Sequence, residues 1–330
     1  MESPRAARRN HRARSSRRRP FLYTALATVA IVGGTAAGTV YVKAQAHSGV
    51  VSSAAAPTAS ASGSGEASVE PVTQPTVDYD ALLATAMKSV TSAGDQKVSV
   101  AVLDVDAGES ATYGSAAFDT ASIVKVDILA TLLLQAQDAG RQLTATEKSY
   151  ATTMIENSSN DSATALWDVI GKASGLDAAN KTFGLTGTTG GDGALWGLTQ
   201  TTAADQLALL QQVFGDDSKL SSASRSYIQG LMGQIEADQQ WGVSAAADGS
   251  KWRLKNGWLA RSTTGLWDVN SIGRVTATDG HEYLVAVVSK GSTTQNKGIS
   301  LIEAAAKAAV SVFADDSASA SATASASATD

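Results

Sequence analysis

Two spacings of apolar residues alternate along this chain. Leu82, Leu83, Ala86, Met87 and Val90 recur at three- and four-residue steps and predict a helix capped by Asp78. Val98, Val100 and Val102 then alternate as a strand, Asp106-Ala107-Gly108 turns the chain, and Ala111 to Gly114 returns antiparallel. Phe118 to Gly140 predicts a long helix whose apolar side holds Ile123, Val124, Ile128, Leu129 and Leu132 to Leu134. Four more helices are expected. Thr144 and Glu147 make a capping box for one running to about Asn157, and Asp161 to Ile170 turns Ala163, Leu166, Trp167 and Ile170 inward. Thr202 caps the helix bearing Leu207, Leu210, Val213 and Phe214, and Ser221 to Ile235 forms the last of the block. Between them, residues 171–199 are rich in Gly and Thr and read as a long irregular surface loop.

The period returns to two at Arg253 to Leu259, Leu266 to Ala277 and His281 to Ser289, with Asp279-Gly280 as a hairpin turn between the last two. A final helix, Ile299 to Phe313, carries Ile302, Ala306, Val310 and Phe313 on one side. This order predicts an α+β fold in three layers. Both chain ends build one five-stranded antiparallel sheet packed by terminal helices, an all-helical subdomain is inserted, and a cleft between the two is the natural site.

The expected folded domain is residues 78–313, and the flanks have other characters. Residues 1–20 hold eight Arg and form a basic cytoplasmic n-region, while Phe21 to Val42 is uncharged and largely apolar. Ala44-Gln45-Ala46 offers a small-residue cleavage site, and Arg18-Arg19-Pro20-Phe21-Leu22 resembles the twin-arginine export pattern. Twenty-two such residues also suffice to span a bilayer. Residues 21–46 are therefore a signal peptide or a signal-anchor helix, and the domain is expected outside the cytoplasm, secreted or anchored to the membrane. Residues 47–77 form a Ser/Ala/Pro-rich linker and residues 314–330 a Ser/Ala/Thr tail expected to be disordered. Beyond residue 46, 17 Lys and Arg stand against 30 Asp and Glu, which argues against a nucleic-acid partner. There is no cysteine, so disulfides, thiol nucleophiles and thiolate metal sites are excluded. A monomer is expected, and nothing in the sequence calls for a metal or an organic cofactor.

Ser122 and Lys125 lie one helical turn apart on one face, so the amine can take the hydroxyl proton directly. Val124 and Val126 flank the lysine, unusual company for a solvated amine, and half-burial lowers its pKa toward that of a base. The folded region has one histidine, His281, beside a turn and expected at the surface. A serine nucleophile here must therefore use lysine as its base, with backbone N–H groups holding the oxyanion. Two later triplets join the pair: Ser158-Ser159-Asn160 between two helices, and Lys255-Asn256-Gly257 on the first strand after the helical block. A second register, Ser159-Asn160-Asp161, is open, although an amide at Asn160 can both donate to a substrate and accept from Lys125.

In this order, Ser-x-x-Lys, Ser-x-Asn and Lys-x-Gly resemble the three motifs of the penicillin-recognising serine hydrolases, particularly class A β-lactamases, over residues 78–313. Asn160-Asp161-Ser162-Ala163 and Thr201-Thr202 are similar to further segments of that family. The resemblance implies that Ser122 becomes acylated, with Lys125 as base or relay, and that Ser158 passes a proton to the leaving nitrogen. It implies that Asn160 holds Lys125 and the substrate amide, and that Lys255 attracts the substrate carboxylate. The backbone N–H groups of Ser122 and Trp258 would form the oxyanion hole, and Asn256, Gly257 and Trp258 would line the substrate. The implied substrate is a β-lactam or a related amide such as a cell-wall peptide.

Three departures bear on turnover. Class A enzymes activate the deacylating water with a glutamate in a Glu-x-x-Asn loop, but Gly171 to Thr199 contains no Glu. Its acids are Asp177 and Asp192. The interval from Ser122 to Ser158 is short for class A, and Asn256 replaces the usual hydroxyl residue. Slow β-lactam hydrolysis is the expected activity. The alternatives are a penicillin-binding D,D-peptidase and a non-catalytic binding module that keeps the fold. Arg274 is read as a structural strand residue.

Overall fold

A computed structural model describes residues 77–91 and 96–326, with side chains through 313. The basic segment, the signal or anchor at 21–46 and the linker up to residue 76 lie outside the described residues, as do 327–330. Among the described residues, no helix is long and apolar enough to cross a membrane.

Helix α1 (Tyr79–Thr91) begins where Asp78 Oδ1 accepts the Ala81 N–H at 2.9 Å. It leads into the hairpin β1 (Lys97–Asp104) and β2 (Ser110–Tyr113), then a short β3 (Phe118–Asp119). The helical block follows: α2 (Val124–Asp138), α3 (Ala145–Glu156), α4 (Asn160–Ile170) and α5 (Lys172–Phe183), then β4 (Gln200–Thr201), α6 (Ala203–Phe214) and α7 (Ser222–Met232). The chain returns through β5 (Trp252–Ala260), β6 (Trp267–Thr276), β7 (Glu282–Ser292) and α8 (Gln295–Ala326). Helix α8 thus starts before the expected Ile299, and its backbone continues past Phe313 into the Ser/Ala/Thr segment.

The sheet has the order β2-β1-β7-β6-β5 and is antiparallel throughout. Period-two alternation sorts its side chains. Val100, Val102, Val285 and Val287 pack with α1 and α8, where Tyr79 and Phe313 meet at 4.7 Å, whereas Ala101, Leu284, Ala286 and Val288 face the helical block. With both faces covered, strand β7 is almost continuously buried.

The helical block is built around α2, in which twelve of fifteen residues are buried. The expected apolar side is in fact part of a buried circumference that includes Lys125, Asp127 and Thr131, as in a helix surrounded by protein. The Thr144–Glu147 capping box opens α3 as its spacing predicts.

Helix α5 corrects the reading of residues 171–199 as wholly irregular. Leu176, Ala179, Asn180 and Phe183 form a buried face at helical spacing. The glycines that suggested a loop serve packing. Gly171 adopts φ 90° between α4 and α5, and a Cβ on Gly175 would lie 1.7 Å from the Ile170 carbonyl oxygen. Only residues 184–199 remain a loop, closed by a short 3-10 turn, Trp196–Leu198.

Candidate active site

Ser122 sits on a strained approach to α2. The helix expected from Phe118 begins only at Val124, and the residues before it form β3 and a 3-10 turn, Ala121–Ile123. Ala121 has φ 47°, in the left-handed region that a side chain disfavours. Neighbours hold this turn in place. The Asn270 amide donates to the carbonyls of Asp119 and Thr120, each at 2.9 Å, and the Thr120 N–H donates to Thr199 O at 2.9 Å.

Lys125, in the first turn of α2, is fully buried, and its Nζ has four acceptors. These are Ser122 Oγ at 2.9 Å, Asn160 Oδ1 at 2.9 Å, Ser158 Oγ at 3.0 Å and Ser158 O at 2.6 Å. None is a carboxylate. Burial without a counter-charge pulls its pKa down to about 7, so the neutral amine is well populated near neutrality and can accept the Ser122 proton.

The second triplet lies between α3 and α4. Ser158 takes φ 55°, a second strained non-glycine residue, and this turns both its hydroxyl and its carbonyl onto Lys125. Ser159 does something else: its Oγ accepts the Ser162 N–H at 3.2 Å and caps α4. Ser158 and Asn160 therefore face the cluster, and Asp161 is exposed.

On edge strand β5, Lys255 reaches Ser158 Oγ at 3.1 Å and donates to Asn256 O at 3.0 Å. It is 1% exposed. Burial lowers its pKa far below the ordinary lysine range, and repulsion from Lys125 adds to the effect. Alternation along β5 decides the rest of the triplet. Gly257 shares the face of Lys255, and a Cβ there would lie 2.6 Å from Ser122 N and 2.8 Å from Ile123 N, so only glycine lets strand and serine turn meet. Asn256 points the other way. Its amide donates to the carbonyls of Gln239 at 2.7 Å and Trp241 at 2.9 Å, and it is wholly buried, which removes it from the substrate face and makes it a brace for residues 237–246. The Trp258 ring likewise packs on Trp241, 5.8 Å between centroids, leaving its backbone as the part available to a substrate.

One neighbour escaped the sequence reading. The indole of Trp196 stands over Lys125, with Nζ 5.0 Å from the ring centroid. A lone Trp in a Gly-rich loop was the only signal. The acids of residues 171–199 sit elsewhere: Asp177, on α5, accepts the Gly190 N–H at 2.8 Å, and Asp192 is exposed. Arg274 pairs with Glu282 at 3.1 Å and lies over the Phe214 ring, in keeping with a structural role.

His281 is not a bystander. Its Nδ1 is 3.0 Å from Asp104 Oδ2, and with Asp106 these groups bring ligand-type atoms within 4.8 Å of one another. Asp104 Oδ1 already accepts the N–H groups of Asp106 and Ala107, so the group is an internally satisfied ion-pair cluster.

Comparison with known proteins agrees with this geometry. The family described as the β-lactamase enzyme family matches residues 140–313, more than half the chain, and the chain belongs to it. Solved structures share the fold at low identity. A substituted PBP-A, solved as an acyl-enzyme complex with penicillin G, is 20% identical with a TM-score of 0.61, covering 71% of this chain and 97% of its own. A class A β-lactamase from Bacteroides cellulosilyticus is 15% identical with a TM-score of 0.62, covering 72% and 99%. A β-lactamase from Chitinophaga pinensis is 16% identical with a TM-score of 0.61, covering 71% and 99%. No curated protein matches the sequence.

Proposed function

We propose that this protein is a serine hydrolase in which Ser122 forms an acyl-enzyme with β-lactams or related amides and releases it slowly. The observation that carries the reading is the Lys125 amine, buried among uncharged acceptors and 2.9 Å from Ser122 Oγ. In the first step Ser122 Oγ adds to the amide carbonyl carbon while its proton passes to Lys125. The C–N bond then breaks, and the proton reaches the leaving nitrogen through Ser158 Oγ, which lies between the two lysines. Lys255, which has no carboxylate partner among the described residues, offers an amine that an anionic substrate group would hold in its charged form. The backbone N–H groups of Ser122 and Trp258 are the proposed oxyanion donors. Export, cleaved or anchored, is part of the proposal and rests on residues 1–46 alone.

Missing Glu in residues 171–199 favours a second reading, a penicillin-binding D,D-peptidase on cell-wall peptides. Intact-mass measurement of the full chain with a penicillin over time, beside Ser122→Ala, tests both. We expect a one-to-one adduct on the wild type and none on Ser122→Ala. Release of D-Ala from a peptide ending in D-Ala-D-Ala would favour the second reading, and no adduct at any time would overturn acylation altogether.

A further inference from the structure

We propose that Trp196 keeps water away from the Ser122 acyl-enzyme and so sets how long that ester lasts. The inference rests on the acylation reading above. Hydrolysis of the ester requires a water oxygen to add to the acyl carbon, a base to take the water proton, and the carbon–Oγ bond to break as Ser122 regains a proton. A base is present in Lys125; what the water lacks is room. The Trp196 ring centroid is 5.0 Å from Nζ. Once the thickness of ring and amine is subtracted, that gap is smaller than a water molecule about 2.8 Å across.

This cover is fixed, not draped. The indole N–H donates to Thr164 Oγ1 on α4 at 3.1 Å, and Trp167 Nε1 on the same helix donates to Gly193 O at 2.8 Å. On the other side, the Thr120 N–H holds Thr199 O, and β3 pairs with β4 through Phe118 and Thr201. Gly197 approaches Ala121, with 4.0 Å between a Cβ built on it and the Ala121 Cα. The loop is thus tied to α4 and to the serine turn at once, with the indole between them. Its one acid, Asp192, is exposed, and Asp177 of α5 accepts the Gly190 N–H, so the loop carries no carboxylate in place of the ring. The same ring that shuts out deacylating water keeps Lys125 dry, which helps acylation. Trp196 therefore acts in opposite senses on the two halves of the reaction.

The test follows a fluorescent penicillin on the full-length wild type, Trp196→Phe and Trp196→Ala, measuring adduct formation and decay separately across pH. Trp196→Ala should shorten the adduct lifetime by about tenfold or more while still becoming acylated. Its acylation midpoint should move upward from about pH 7 toward the ordinary lysine range. Trp196→Phe, which keeps a ring over the amine, should stay close to wild type in both. Adducts of equal lifetime on all three proteins, or equal acceleration by Phe and Ala, would overturn the role of Trp196 and leave acylation standing. No adduct on any of them would overturn the acylation reading, and this inference with it.

Discussion

Two regions of the sheet treat buried charge in opposite ways. At the β5 edge, Lys125 and Lys255 are both buried, both bonded to Ser158 Oγ, and both without a carboxylate partner among the described residues. Where β1 pairs with β7, the buried Asp104 carboxylate is matched by His281 and by two backbone N–H groups. The second arrangement is what stability alone would select. The first buries two amines without a counter-charge and retains the strained residues Ala121 and Ser158, so free energy of folding is given up where the proposed anionic substrate group would bind.

Replacing Lys125 with Met breaks the contrast most sharply. Acylation should fall by about 10³-fold or more, while the fold should gain on the order of 2 kcal/mol at pH 7 despite the lost hydrogen bonds. Because the folded-state pKa is lowered, the lysine costs stability fully below about pH 7, and the cost fades as pH rises toward the ordinary lysine value. Denaturant melts at pH 6 and pH 10 should show the variant's advantage shrinking. Where β1 pairs with β7, Asp104→Ala should lower stability by about 1–2 kcal/mol through the Asp106 and Ala107 N–H groups left without their acceptor, with the acylation rate of the folded fraction unchanged in the penicillin assay.

The smallest effect is expected at His281→Asn, below about 1 kcal/mol because the ring is partly exposed. The hydrogen bond to Asp104 raises the His281 pKa. Its contribution is therefore complete below the ordinary histidine value and is lost as pH rises through the raised one. Melts at pH 5.5 and pH 8.5 should separate wild type and variant only at the lower pH.

Local patterns carried most of the fold and the centre of the site. Helix spacing, the capping box and strand alternation were readable because each depends on neighbours within a few residues. The three triplets could be joined through family resemblance, although Ser122, Ser158 and Lys255 lie far apart in sequence. Helix α5 was hidden because Gly175 is demanded by contact with Ile170, a reason visible only in three dimensions. Strand alternation separates Asn256 from Lys255 and Gly257, so its inward turn is legible from the period of two alone. The His281–Asp104 and Trp196–Lys125 contacts join distant segments, and no local rule points to them.

The position of β7 has a consequence for how this chain is made. It lies between β1 and β6, and Lys97 pairs with Lys290, so the middle of the sheet is the last strand to leave the ribosome. Until then the β1–β2 hairpin has no neighbour on its long edge and β6 lacks one of its two. A nascent chain halted before residue 282 would hold two sheet fragments with nothing to join them, so the sheet closes only once β7 has been made.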